Sequence, residues 1–367
     1  MARIRTVTVH RRQIPLVRPF ITAVRTAYDI ETLLVEVRDD EGRSGWGEAP
    51  TSWRVTGESA ESVIAAVTGP LTSAILGLPS DDPTASTIAV RHALALNSSA
   101  RMAVDCALYD LAASSAGLPL YRYLGGSQDT IETDITVSAA ASAAETELLV
   151  ETSVKHVEAG FTTLKIKTGA GGDDVAALAD VRAAVGPGIC LRVDANQGWS
   201  VTEAIRIIRI WEDLGLGIEI VEQPVHRDDL KGLALVTSTV ETPILADESV
   251  WTVRNLREVL QMRAADMVNI KLAKTGGIDE AIELGRLASE NGVGVLVGCM
   301  AESHVGVSSA AAVASALLAE SIGHSGPQDL DAGLWLSTSP VRGGALYAGA
   351  MIQLPDTPGA GIFGLAD

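Results

Sequence analysis

From about residue 132 the chain repeats one pattern: a short, unbroken apolar run that ends in charged side chains, followed by a helical stretch. Unbroken apolar runs of this length belong to parallel strands covered on both faces. Runs at 134–138, 163–168, 190–194, 218–222, 244–247, 267–271, 294–298 and, more faintly, 328–331 are read as eight strands. The stretches between them read as helices. One is capped by Asp173, and another starts at Ser200, with Glu203 in the capping-box position and Gly215 at its end. Eight strands with crossover helices close into a barrel. An open doubly wound sheet is the competitor, but no strand leads into a Gly-x-Gly-x-x-Gly fingerprint.

The first part differs. Strands are expected at 7–16 and 31–37, a turn and a short strand over 42–48, and helices around 60–74 and 98–115. The expected fold is therefore α/β, a (β/α) barrel at 127–338 with an α+β capping domain at 1–126. The Gly- and Pro-rich stretch 339–367 is expected to return to the capping domain. A length of 367 residues suits this plan, since such barrels take roughly 250.

A net charge of −18 argues against nucleic acid and anionic membranes as partners. The cysteines, Cys106, Cys190 and Cys299, are scattered and form no Cys-x-x-Cys, which fits a reducing cytoplasm and no zinc site. No apolar run is long enough for a membrane span, and charges at Arg3 and Arg5 come too early for a signal peptide.

The middle strands end in side chains able to do chemistry: Lys165 and Lys167, Asp194 with Asn196, Glu222, Asp247 with Glu248, and Lys271. From Lys167 to Lys271 the steps are each about 25 residues, one strand–helix unit. That spacing gathers them at the C-terminal mouth of one barrel. Singly, each has a plainer reading. Lys-x-Lys could be a solvated edge, Asp247-Glu248-Ser249 a helix cap, and Glu222-Gln223-Pro224 a strand exit. Their joint occurrence resists that reading. Three converging carboxylates repel one another, and a hard divalent cation such as Mg2+ resolves the repulsion while keeping positions open for substrate. Asp194, Glu222 and Asp247 are the expected ligands, with Asn196 and Glu248 behind them. Lys167 and Lys271, from strands two and six, approach from opposite sides, which suits two-base transfer of a proton next to a carboxylate. Lys165 and Lys167 share a face, so their repulsion is expected to lower the pKa of one. Residues 169–172 and 274–277 look like phosphate loops but lack the full spacing, and are read as plain connections.

Lys165-Ile166-Lys167, Asp194-Ala195-Asn196, Glu222-Gln223-Pro224, Asp247-Glu248-Ser249 and Asn269-Ile270-Lys271 resemble the signature set of the enolase superfamily, muconate lactonizing enzyme subgroup. Gly45-Trp46-Gly47-Glu48-Ala49-Pro50 resembles its capping domain, so the likeness spans nearly the whole chain. The mandelate racemase subgroup has a His–Asp pair in place of Lys271, and His304 reads here as a helix start. Within the subgroup, residues 299–303 and Asp329-Leu330-Asp331 resemble the dipeptide epimerases, including those acting on L-Ala-D/L-Glu.

That resemblance implies an isomerase with one Mg2+ per chain and a small-molecule dipeptide as partner. It implies epimerisation of the dipeptide's C-terminal residue by 1,1-proton transfer through an enediolate. Lys167 and Lys271 would be the bases, with Lys165 beside them. Asp329 and Asp331 would hold the substrate ammonium, and Met300 and Glu302 would also bind substrate. Lid loops would lie near 16–28 and 49–57, with Arg25 placed for a glutamate carboxylate. Trp53 and Arg54 depart from the smaller apolar residues expected in the second lid, which leaves side-chain preference open. A homo-oligomer is expected. The alternatives are a cycloisomerase, an o-succinylbenzoate synthase or an N-succinylamino acid racemase of the same superfamily. The first two do not need the Asp-x-Asp pair. A non-catalytic binding barrel leaves the paired lysines without a use.

Overall fold

The computed structural model describes residues 2–21 and 26–366. Parallel strands Ile135–Val137, Thr163–Lys167, Cys190–Asp194, Ile218–Glu222, Ile244–Ala246, Met267–Lys271 and Gly294–Gly298 lie side by side in chain order. Alternation fixes what each face does. On Thr163–Lys167, Leu164 and Ile166 join the apolar core under the helices, which leaves Lys165 and Lys167 to the barrel interior. Burying one such aliphatic side chain is worth about 1.5–3 kcal/mol, so the apolar residues set the direction of the lysines.

The expected eighth strand is reduced to bridges, Gln328 with Thr133 and Asp329 with Gly298. These join the seventh strand to the first and close the barrel. The segment is shorter than expected because the Asp331 carboxylate accepts the Thr136 N–H at 2.6 Å and the chain turns into a 3-10 helix, Asp331–Trp335. The helix caps follow the sequence: Asp173 accepts from the Ala176 N–H at 3.1 Å and Ser200 from the Glu203 N–H at 3.3 Å.

The capping module is an antiparallel sheet of Ile4–Ile21, Thr26–Asp39 and Ser44–Pro50, with helices behind it. The first two strands run further than expected. Where a lid loop was anticipated they continue as a hairpin, with Phe20 opposite Ala27. Arg25 lies outside the described residues. The hairpin reaches the barrel mouth, where the Phe20 ring stacks on Trp335 at 4.2 Å. Strand Ser44–Pro50 packs directly on helix Ser98–Ala116. A Cβ on Gly45 would sit 2.1 Å from the Ala107 carbonyl oxygen, and one on Gly47 only 1.9 Å from that of Ala103, so both positions require glycine.

Buried carboxylates tie this module to the barrel. Glu48 accepts from the Ser303 N–H at 2.9 Å, the Ser303 hydroxyl at 2.7 Å and the Gly306 N–H at 2.8 Å, at the start of helix His304–Ala319. Asp105 accepts from the Ile278 N–H at 2.7 Å, at the start of helix Ile278–Glu290. The C-terminal segment returns to both parts. Met351–Gln353 pairs with Thr130–Glu132, and the Ala360 N–H donates to Asp110. Among the described residues no helix is long and apolar enough to cross a membrane.

Asp105 makes a testable pH dependence. Burial, and then the nearby Asp279 charge, push its carboxyl up from 3.8 to about 8, although the Ile278 N–H opposes them. The folded state therefore holds a proton that the unfolded chain gives up near its ordinary value. The stability from this proton is fully present below the ordinary carboxylate pKa and is lost as the pH rises through about 8. Melting followed from pH 5 to 8.5 should show wild type losing stability more steeply than Asp105→Asn, which keeps an acceptor for Ile278. Parallel slopes would remove Asp105 as the cause.

Candidate active site

At the barrel mouth the structure brings together Lys165, Lys167, Asp194, Glu222, Asp247, Lys271 and Asp329, all buried. Lys165 Nζ lies 2.5 Å from Glu222, 2.8 Å from Asp329 and 3.5 Å from Asp194. Lys167 Nζ lies 2.6 Å from Asp194, and Lys271 Nζ lies 2.9 Å from Asp247. Strands three to five separate the two outer lysines along the sheet, so they face each other across the mouth.

Electrostatics here follow from burial and count. Burial first, and then the Asp194 and Asp247 charges, push Glu222 up to about 7 against the pull of Lys165 and Lys271. Glu248 rises to about 8, through burial and then Asp247 and Asp194. Burial also works to raise Asp194 and Asp247, but lysines hold both below the ordinary carboxylate range. The expectation that Lys165 or Lys167 would be acidified by the other is corrected for Lys165. Burial lowers it, but Asp329, Glu222 and Asp194 outweigh burial and hold it well above its ordinary value.

These carboxylates suit a hard divalent cation. Glu248 Oε2 is buried without a hydrogen-bond partner, while its Oε1 accepts from Asn196 at 3.3 Å and Gln197 at 3.2 Å. A cation drawn to Asp194, Glu222 and Asp247 would relieve the repulsion that raises Glu222 and Glu248, in competition with the lysines. A second acidic group, Asp134, Asp329 and Asp331, has carboxylate oxygens within 4.8 Å of one another. Protein cations already serve it, since Arg192 meets Asp134 at 3.0 Å and Lys165 meets Asp329. Lysines serve the first set in the same way, Lys165 at Glu222, Lys167 at Asp194 and Lys271 at Asp247, so both sets stand as candidate cation sites.

Asp331 holds the Thr136 N–H and accepts from Trp335 Nε1 at 2.9 Å. Phe20, Met300, Ala301, Asp329, Asp331 and Trp335 line the cavity beside the lysines. Glu302 does not. It is fully buried below the loop, where it accepts the Met300 N–H at 2.8 Å. Its partner is the loop's own backbone, so it shapes that loop instead of facing substrate.

Three positions received no role from the sequence. Lys274, read there as loop, is buried with Nζ 2.5 Å from Asp247 Oδ1 and 2.8 Å from the Asn269 carbonyl, and so clamps a proposed metal ligand. Asn269 donates to Glu222 at 3.0 Å and to Asp329 at 2.9 Å. Its place two residues before Lys271 on one strand was the available signal. Gln223 adopts a left-handed backbone, φ 37°, and its side-chain oxygen accepts from the Asp247 and Ser249 N–H groups. Such a conformation is disfavoured for a non-glycine residue, and its hydrogen bonds hold it in place.

Opposed amines over buried carboxylates, at the mouth of a barrel covered by a hairpin, define a class of acid–base enzyme. The comparisons then place the chain within that class. Residues 4–125 match the mandelate racemase/muconate lactonizing enzyme N-terminal domain, and residues 148–363 match the enolase C-terminal domain-like family. The chain belongs to this family, within the enolase superfamily. It is 45% identical over 358 residues to the L-Ala-D/L-Glu epimerase of Bacillus subtilis, covering 97% of this chain and 95% of that protein. A solved substrate-liganded complex of the Bacillus subtilis L-Ala-D/L-Glu epimerase superimposes with TM-score 0.94 at 44% identity, over 100% of both chains. The dipeptide epimerase of Enterococcus faecalis, complexed with Mg and L-Leu-L-Tyr, superimposes with TM-score 0.91 at 35% identity, over 98% of this chain and 99% of that one.

Proposed function

We propose that this chain is a Mg2+-dependent dipeptide epimerase that inverts the C-terminal residue, with L-Ala-D/L-Glu the leading substrate. The observation that carries the reading is Lys167 and Lys271 facing each other across a mouth that also holds Asp329 and Asp331. Asp194, Glu222 and Asp247 would hold the metal. When bound, Mg2+ supplies positive charge that offsets the charge gathering on the substrate carboxylate as the α-proton leaves. Lys167 takes or returns that proton on one face, and Lys271 does so on the other. Lys165, between Glu222 and Asp329, keeps their charges balanced. Asp194 and Asp247 orient the two bases by direct hydrogen bonds. The Phe20–Trp335 stack closes one side and excludes water. Residues 1–126 serve as the cap, 127–338 carry the site, and 339–367 bind the two together.

Asp329 and Asp331 are the groups suited to the substrate ammonium, a need that cycloisomerase substrates do not have. Losing one charge-assisted hydrogen bond is worth on the order of 1.5–3 kcal/mol, about ten- to a hundredfold in kcat/KM. Asp331→Asn should impair dipeptide turnover by that factor. N-acetylation of the dipeptide should harm wild type far more than the variant. Equal losses in both would show that Asp331 does not read the ammonium. The reading as a whole is tested by screening dipeptides in D2O for deuterium at the α-carbon by mass spectrometry. No incorporation from any dipeptide would overturn it.

A further inference from the structure

Asp329 and Asp331 stand two apart, and on a regular strand their side chains would share one face. The chain does not remain a regular strand between them. Leu330 has φ −125° and ψ 27°, whereas a parallel strand keeps ψ near about 115°. The backbone therefore bends at Leu330, and the bend sets how the two carboxylates are turned relative to each other. Before the bend, Asp329 is fixed to the seventh strand: its N–H donates to the Val297 carbonyl at 3.0 Å, and its carbonyl accepts the Cys299 N–H at 3.0 Å. After the bend, Asp331 accepts from the Thr136 N–H and from Trp335 Nε1. Leu330 itself is fully buried, so both polar groups of its backbone need partners away from water. Both partners are side-chain hydroxyls. The N–H donates to Thr133 Oγ1 at 2.9 Å, and the carbonyl accepts from the Tyr347 hydroxyl at 2.5 Å.

Tyr347 comes from outside the barrel, in the C-terminal segment. Its strand, Leu346–Ala348, pairs with Met351–Gln353, which pairs in turn with Thr130–Glu132 just ahead of the first barrel strand. The same hydroxyl that donates to Leu330 accepts the Gly333 N–H at 3.2 Å, so it bridges the two sides of the turn that carries Asp331. The ring is held edge-on by His304, with centres 5.8 Å apart. Gly333 leaves the room it needs. A Cβ there would lie 2.4 Å from Tyr347 Cε2 and 2.8 Å from its hydroxyl oxygen. Rotation about the Cα–C bond of Leu330 swings its carbonyl and Asp331 together. Holding that carbonyl therefore holds the angle between the two carboxylates.

We propose that Tyr347 is a positioning residue for substrate recognition: its hydroxyl locks the bend at Leu330 and so sets Asp329 and Asp331 to receive the dipeptide's ammonium. This role rests on the epimerase reading above. The test takes the dipeptide that wild type turns over best and its N-acetyl form, and follows α-deuterium incorporation in D2O in wild type, Tyr347→Phe and Gly333→Ala. Both substrates are measured on one preparation, so loss of folded enzyme cancels in their ratio, which a purely structural role would leave unmoved. Tyr347→Phe keeps the ring and removes only the hydroxyl. It should narrow the wild-type preference for the free ammonium in kcat/KM by at least about threefold, the order of one buried hydrogen bond. Gly333→Ala, which crowds the same hydroxyl, should narrow it as well. A smaller change in Tyr347→Phe, including a lowered Tm with the ratio unmoved, overturns the role. If Tyr347→Phe does not fold, Gly333→Ala decides on the same threshold. Equal turnover of free and acetylated dipeptide by wild type removes the ammonium reading, and the role of Tyr347 with it. Failure of wild type to exchange any dipeptide overturns the epimerase reading as a whole, this role included.

Discussion

Lys271→Ala and Lys167→Ala are each expected to lower epimerisation by about a thousandfold, within the usual range for a positioned general base. On the proposed reading the two amines reach the α-carbon from opposite sides, so neither substitutes for the other. Inversion needs both, because one base removes the proton from one face and the other delivers it to the opposite face. Exchange with solvent needs only one. Each variant should therefore still wash the α-proton of a single stereoisomer into D2O, and the two variants should retain opposite isomers. That asymmetry separates loss of a base from loss of the fold, since a collapsed site exchanges neither isomer. Epimerisation by Lys271→Ala at the wild-type rate would end the two-base assignment.

Removing the metal should abolish turnover, and Mg2+ should restore it. Burial and their neighbours' charges raise Glu222 and Glu248 to about 7 and about 8, a repulsion that a bound cation would relieve. A second readout follows from linkage. A ligand at a hundred times its Kd stabilises the fold by about 2.7 kcal/mol. Mg2+ should therefore raise the melting temperature of wild type, and Asp247→Asn should show a much smaller rise. Full turnover after exhaustive chelation, with metal shown to be absent, would sink the ligand assignment.

The barrel strands were legible because parallel strands buried on both faces must be continuous apolar runs. Their ends fell within a residue of the elements observed, for example 163–168 against Thr163–Lys167. The side chains at those ends could be gathered into one site from their spacing, because every strand–helix unit returns the chain to the same mouth. The weakest strand by pattern, 328–331, is also the one reduced to bridges, since Asp329 and Asp331 spend their polar groups on Lys165, Thr136 and Trp335 instead of on an apolar face.

What remained hidden depends on contacts between residues far apart in the chain. Glu48 could be matched to a family motif but not explained, because its partners, Ser303 and Gly306, belong to another module. Lys274 looked like loop because its partner, Asp247, lies one strand away. The shared face of Lys165 and Lys167 was legible, but not that Asp329, Glu222 and Asp194 hold Lys165 above its ordinary value, since periodicity shows which residues share a face and not which opposite charges converge on it. Periodic burial thus prescribes, within the chain, the barrel and the direction each strand residue points. Pairings across the mouth, and the pKa of every group in it, arise only when distant strands close on one another, because electrostatic energy depends on distances that no local pattern contains.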